Sequence, residues 1–396
     1  MVKKGLGLFL VVAVMLFGLA FGAMAEEGVT DTEIHIGQWG PQTGPAAPWG
    51  AVARGTGVYF DMINAEGGIH GRKIVYHMFD DGYNPAKTKA GVKQLQEGKG
   101  MFGWASGVGT STGLAVKDYL MERKIPWVGP AAGSMHWITP PQRYLFGVYP
   151  LYYIEAKALC RYAIDQMGKK RIAIAYQNDD YGKNGLKGAI DELATRKMKL
   201  VAKIPIELKD TDMRPHVMKL RQSKADMVLL WGSPVHAVRI VGTAAAMKFA
   251  PQWMSTSTCS DFPLMYKISK GLWKGVITAA FSEMPDSDLP LMKQYKKAYD
   301  KFAAKGERWG VFFYAGFVFV EPMVEAIKRS GRDLTRERFV KEMEGLKNFQ
   351  GTSGKISYKA FDPNDPSCRQ GQNQTYLIQC QEGAKAKKLT KWMTIN

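Results

Sequence analysis

The chain has 396 residues, 46% of them hydrophobic, which fits two globular domains or one large one. It carries 54 Lys and Arg against 36 Asp and Glu, a formal net charge of +18. The lysines are dispersed except for a short cluster near Lys385 to Lys388, so the charge reads as a basic, solvated surface that attracts anionic ligands. Together with the export signal described next, this argues against nucleic acid as a partner.

Lys3 and Lys4 make a basic start, the apolar run Leu8 to Phe21 follows, and Ala23-Met24-Ala25 ends it. This is the pattern of a secretory signal peptide over residues 1–25, cleaved after Ala25. The run is short for a membrane span and broken by glycines, and no later segment is apolar enough to span. A soluble, exported mature protein is expected.

The mature sequence opens with EIHIGQW, whose alternation predicts a strand ended by Gly-Pro punctuation. WGAVARGTGVYFDMIN has helical spacing at Val52, Val58, Tyr59, Met62 and Ile63. After the GGIHGRK turn come a strand (KIVYHMFDD), a helix (NPAKTKAGVKQLQEG), a strand (MFGWAS), a helix (GLAVKDYLMERK) and a strand (IPWVGPAA). A second run follows RYLFGVYP, with IEAKALCRYAIDQMG as a helix and RIAIAYQNDD as a strand. Helices YGKNGLKGAIDELATRK, MRPHVMKLRQSK and HAVRIVGTAAAMK then alternate with strands KLVAKIPIEL, ADMVLLWGS and APQWMSTST. Repeated βα alternation predicts an α/β fold of two doubly wound parallel-sheet lobes. GVITAAF, one long helix FFYAGFVFVEPMVEAIKRS, FQGTSGKISY and a TYLIQ hairpin close the chain, so it crosses between lobes more than once. The expected division is 26–147 plus 279–351 for one lobe and 148–278 plus 352–396 for the other.

Four cysteines include no C-x-x-C pair, which excludes the usual zinc spacing, and no metal site or cofactor is expected. Cys368 and Cys380 bracket a turn at Gly371 and the strand QNQTYLIQ, and a hairpin there predicts a Cys368–Cys380 disulfide in an oxidising compartment. Cys160 lies on a helical pattern and reads as a buried thiol.

Ligands of doubly wound sheets sit at the carboxyl ends of strands, so the loops there hold the candidate site. GPQTGPAAPWG places Trp49 as a core cap or a stacking wall. In DDGYNP, Asp80 and Asp81 suit turn hydrogen bonding better than metal or acid–base work. FGWASGVGTSTGLAV lacks the Lys of a phosphate loop and misses G-x-G-x-x-G by one residue. Gly109 to Gly113 spells G-x-S-x-G around Ser111, yet His216 and His236 fall in helical patterns of the other lobe, so no catalytic residue is expected. The stretch does supply backbone N–H groups and hydroxyls at a helix start, an anion seat in which Thr110 or Ser111 is also a cap. GPAAGS, Gly129 to Ser134, is a second small-residue loop that can share a carboxylate. QNDDYGKNG, WGSP and STSTCSD supply Tyr181 and further hydroxyls from the second lobe.

With TGPAAPWG, DMINAEGGIHGRKI, DDGYNP, GTSTGLAV, IPWVGPAA, IAIAYQNDDYGKNG and FFYAGF in this order, the chain resembles the leucine/isoleucine/valine-binding type of periplasmic solute-binding protein. The resemblance covers nearly the whole mature chain. It implies a type I periplasmic binding fold with three crossings between the lobes, closure on ligand, and service to the membrane permease of an ABC importer. It makes Trp49 a pocket wall and Thr110, Ser111 and Thr112, with Ala132, Gly133 and Ser134, the carboxylate seat. Tyr181 would come from the opposite lobe, and Trp309 would add another aromatic lining residue. The family's acidic partner for a ligand ammonium falls on Ser257, with Asp261 reaching it only by a local shift. Tyr83 stands where the family's early disulfide begins. The expectation is therefore a monomeric, non-enzymatic binder of a small carboxylate: an amino acid or an aromatic or aliphatic acid. A ligand sensor for a signalling partner is the alternative.

Overall fold

The computed structural model describes residues 26–395, so the expected signal segment lies outside the described residues. The first βα series is β1 (Glu33–Trp39), α1 (Ala51–Ala65), β2 (Lys73–Phe79), α2 (Pro85–Lys99), β3 (Gly103–Ala105), α3 (Thr110–Glu122), β4 (Trp127–Val128) and β5 (Leu145–Phe146). All five strands run parallel, in the order β2-β1-β3-β4-β5. Ile34 and Ile36 of β1 are fully buried, as their alternation predicts. Trp39, Trp104 and Trp127 stand on three neighbouring strands and touch, with ring centroids 5.9 and 5.2 Å from Trp39. Trp137 joins them 5.1 Å from Trp127, and all four rings are buried.

The second series is α4 (Tyr152–Asp165), β6 (Ile172–Gln177), α5 (Asp180–Thr195), β7 (Ala202–Ile206), α6 (Arg214–Gln222), β8 (Met227–Trp231), α7 (Pro234–Ala246), β9 (Gln252–Ser255), α8 (Phe262–Ile268) and β10 (Ile277–Ala280). Its strand order, β7-β6-β8-β9-β10, repeats that of the first sheet. The boundary expected at 278/279 falls inside β10. The chain then returns to the first lobe as α9 (Pro290–Phe302), α10 (Val311–Val318), α11 (Glu321–Ser330) and α12 (Arg336–Glu344), with α9 and α10 packed on α1. At that crossing Gly55 and Gly316 let two backbones meet, since a Cβ on Gly55 would lie 1.9 Å from the Phe313 carbonyl oxygen. A short hairpin of β11 (Phe349–Gly351) and β12 (Gly354–Ile356) leads back to β13 (Gln374–Cys380), which adds antiparallel to β10. β14 (Ala386–Lys388) and β15 (Met393–Thr394) pair with β13. The chain thus passes between the lobes three times. Among the described residues, no helix is long and apolar enough to cross a membrane.

Three expectations need correction. The single long helix over 312–330 is two helices, broken at Phe319–Val320. Pro322 opens α11 and has no N–H to continue the α10 ladder. α9 and α12 form where no helix was expected; Pro290 begins one and the Thr335 hydroxyl caps the other by accepting from Arg338 N–H. The Cys368–Cys380 disulfide is absent, and all four cysteines are free and buried. Cys368 lies in a single turn before β13, whereas Cys380 ends that strand of 7 residues and pairs with Ala386 of β14. At about 3.3 Å per residue the extended strand holds the two sulfurs at opposite ends. Iodoacetamide applied to denatured, unreduced protein is expected to label all four cysteines by mass; protection of Cys368 and Cys380 would restore the bridge.

Glu321 ties the first residue of α11 to the segment after β11. Its carboxylate accepts from Tyr295 Oη at 2.8 Å, Thr352 Oγ1 at 2.9 Å and Thr352 N–H at 2.9 Å. Burial pushes Glu321 up to about 7. The folded chain therefore holds a proton that the unfolded chain has released between pH 4.5 and 7, so this group's contribution to stability falls as pH rises through that window. Urea titrations should show wild type losing on the order of 3 kcal/mol relative to Glu321→Gln between pH 4.5 and 7.5. Parallel curves for the two proteins would refute this.

Candidate functional site

The carboxyl ends of the two sheets face each other across a small cavity of about 40 Å³. α3 begins there. Its N-terminal flanking residue, Gly109, has φ 106° and provides no side-chain cap. The first N–H groups of a helix have no carbonyl within it to pair with. Gly109 and Thr110 line the cavity, and the buried Thr110 hydroxyl has no hydrogen-bond partner. A helix start of this kind carries partial positive charge and orphan donors.

The walls are aromatic. Trp49, Tyr83 and Phe312 come from the first lobe's side and Tyr152, Tyr181 and Phe281 from the second, with Tyr149 and Phe319 between them. Trp49 stands edge-on to Tyr181 at 5.8 Å, and Tyr152 to Tyr181 at 5.0 Å. Burial raises Tyr149, Tyr152 and Tyr181 well above the usual phenol range, so their hydroxyls stay neutral. Among the described residues, no Lys, Arg, Asp or Glu side chain lines the cavity.

Several polar contacts join the lobes around it. Trp49 Nε1 donates to the Thr258 carbonyl at 2.9 Å, Ser111 Oγ to Asp179 at 3.2 Å, and Met135 N–H to Asn184 at 3.0 Å. Opposite α3, Ser257 and Thr258 form the polar end. Tyr181 Oη lies 2.6 Å from Thr258 Oγ1, and Tyr149 Oη 2.5 Å from Ser257 Oγ. Behind Ser257 sits Glu155 of α4, fully buried and pushed up to about 7 by that burial.

Of the expected site residues, the structure brings Trp49, Thr110, Tyr181 and Ser257 into one cavity. Ser111 is spent on the cross-lobe bond. Thr112 Oγ1 donates back to the carbonyl of Val108. In the second loop Ala131, one residue earlier than expected, lines the cavity, because Val108 and Ala131 bridge in parallel. The Ala132 carbonyl accepts from Trp137 Nε1, the Gly133 carbonyl from Tyr152 N–H, and Ser134 Oγ caps a short turn by accepting from His136 N–H. Trp309 lies outside the cavity, donating to the Pro285 carbonyl and stacked among Tyr299 and Tyr314. Asp261 caps α8 and accepts from Phe312 N–H, so it does not stand in for a missing acid. Asp80 and Asp81 serve their own turn, accepting from Gly82 and Tyr83 N–H. His216 and His236 contact Asp210, leaving Ser111 without a base.

Sequence reading missed Tyr149, Tyr152, Phe281, Phe312 and Phe319 as lining residues. The tyrosines had a signal in the run VYPLYY, where three Tyr cluster just after a crossing. Phe319 had none, because only the break between α10 and α11 turns it toward the cavity.

Two lobes of one strand order, closing on a cavity at their strand ends, define a two-lobed binding protein. The chain belongs to the periplasmic binding protein family, whose model matches residues 33–385. It is 28% identical to Leu/Ile/Val-binding protein BraC3 of Rhizobium johnstonii over 87% of this chain and 91% of that one. It is 27% identical to Leu/Ile/Val-binding protein homolog 3 of Brucella melitensis, a match spanning 50% of this chain and about half (54%) of that relative. A solute-binding protein of an ABC transporter from R. palustris, solved in complex with benzoate, shares the fold at a TM-score of 0.79 and 19% identity, over 90% and 95% of the two chains. The family is one of solute binders, not enzymes.

The start of α3 rests on Gly109. A Cβ there would lie 2.6 Å from the Tyr83 ring, on a backbone that L side chains rarely adopt. Gly109→Ala is expected to lower the unfolding free energy by about 1–3 kcal/mol in urea titrations. An unchanged midpoint would show that this turn is not held as described.

Proposed function

We propose that the chain is the substrate-binding component of an ABC importer. It captures a small, partly apolar carboxylate-bearing solute between its lobes and passes it to a membrane permease. The observation that carries this is the uncapped start of α3, with the orphan hydroxyl of Thr110, opening into an aromatic cavity lined by both lobes. A ligand carboxylate there would satisfy the Thr110 hydroxyl, which has no partner among the described residues, and meet the N–H groups that open the helix. An apolar body would fill the aromatic walls, and bridging both lobes would favour closure. Two ligand classes have precedent among proteins of this fold: relatives named for Leu, Ile and Val, and a structural neighbour holding benzoate. In this reading residues 1–25 direct export to the periplasm, the mature monomer needs no cofactor, and the lobes are 26–147 with 279–351 and 148–278 with 352–396.

Thermal-shift and calorimetric screening of amino acids against aromatic and aliphatic monocarboxylates tests the reading. At least one small carboxylate should bind, and Thr110→Val, which keeps the shape and removes the hydroxyl, should weaken it about tenfold. If no small carboxylate binds, the reading fails.

A further inference from the structure

The loop at Ser257 turns no carboxylate of its own into the cavity, yet a buried one lies directly beneath it. Glu155 accepts from Thr256 Oγ1 at 2.7 Å, from Ser257 N–H at 3.1 Å and from Ser257 Oγ. A serine hydroxyl has a single proton, and here it is given to Glu155. While Glu155 is ionised, the bond between Tyr149 and Ser257 then runs from Tyr149 Oη to Ser257 Oγ. Both protons of this relay point away from the cavity, so the oxygens that remain for a ligand are acceptors. The donors that hold Glu155 are two hydroxyls and one backbone N–H, all neutral, and the cavity above is walled by aromatic residues.

We propose that Glu155 is a specificity-determining positioning residue: from beneath the cavity wall it fixes Ser257 and Tyr149 as acceptors, and so selects a ligand that carries a protonated amine as well as a carboxylate. The inference rests on the binding-protein reading above. It supplies what the Ser257 loop lacks, because negative charge one hydroxyl away serves where a direct ion pair is missing.

The relay also couples binding to protonation. Tyr149, Tyr152 and Cys259 adjoin Glu155, and burial holds all three neutral. Among the elements packed on α4, α5 brings Asp191 and Glu192, paired with Lys187 and with Arg161 and Arg196. β10 brings no ionisable side chain, and β13 brings Tyr376 and Cys380, both raised by burial. Glu155 is thus the group whose charge changes near neutrality. A ligand cation favours its ionised form, so binding releases a proton and affinity rises with pH up to and through about 7.

Calorimetry with two probe pairs that differ only in the amine, leucine with 4-methylpentanoate and phenylalanine with 3-phenylpropionate, tests this. In wild type the amino acid of at least one pair should bind ten or more times more tightly than its partner, and more tightly at pH 7.5 than at pH 6. Glu155→Gln should cut that preference at least tenfold and flatten its pH dependence, with the circular dichroism spectrum unchanged. Its amide donates to Ser257 and turns the relay around. Should that variant fail to fold, Ser257→Ala, which removes the relay and keeps the carboxylate, must lose the same preference. A preference that survives the substitution, or tighter binding of the deaminated acids by wild type, overturns the inference and leaves the binding-protein reading standing. If none of the four probes binds, the inference falls, and the wider carboxylate screen still decides the function.

Discussion

A helix that starts at an aromatic cavity has first N–H groups with no acceptor inside the helix itself. That constraint organises the site. The start of α3 has no side-chain cap, and the hydroxyl of Thr110 is buried without a partner. Leaving such a hydroxyl unmet costs about 1–3 kcal/mol, which an acceptor on a ligand would recover. Among the described residues no cation lines the cavity, so an acceptor placed at the start of α3 would meet hydrogen-bond donors rather than an ion pair.

For α3 to present those groups, its starting point has to be rigid. The tryptophan cluster provides the rigidity. Trp39, Trp104 and Trp127 lock the ends of three strands, and Gly107 lies so close to Trp39 that a Cβ would sit 2.4 Å from its ring. The loop from Ser106 to Gly109 is therefore laid on a packed aromatic floor, with Ser106 N–H bonded to Val128 and Val108 N–H to Trp39. The second lobe places its polar end differently. There the residues after β9 are held from below by a carboxylate on α4, so one side of the cleft is fixed by packing and the other by hydrogen bonds.

Much of this was legible in the chain because βα alternation and glycine placement are local signals. EIHIGQW and MVLLW announce central strands, and GVGTSTG announces a backbone turn into a helix. Thr110 and Tyr181 follow from those two facts, since loops after strands of doubly wound sheets converge. What was not legible depends on register and on long-range packing. One residue of shift, set by the bridge between Val108 and Ala131, replaced Ala132 by Ala131 at the wall. Trp309 looked like a lining residue but packs under α10 instead. The cysteine pair failed because the hairpin was read from composition, while β13 extends as an unbroken strand between β10 and β14. Glu155 was invisible for a simpler reason: it is a lone acid in a helix of ordinary pattern, and only the fold places it under Ser257.

The lobes meet through single hydrogen bonds and ring contacts. Trp49 to Thr258, Ser111 to Asp179 and Met135 to Asn184 are single hydrogen bonds, each worth about 1 kcal/mol net. Bonds of this size each add little against the ordering of two lobes joined by three strands of chain. A ligand that met the donors of α3 on one side and the acceptors at Ser257 on the other would add to closure what these bonds lack. An open and a closed arrangement of similar free energy is what lets binding set the equilibrium. The aromatic walls take part in that equilibrium, because Trp49 and Tyr181 meet across the cleft at 5.8 Å and their contact depends on how the two lobes are placed.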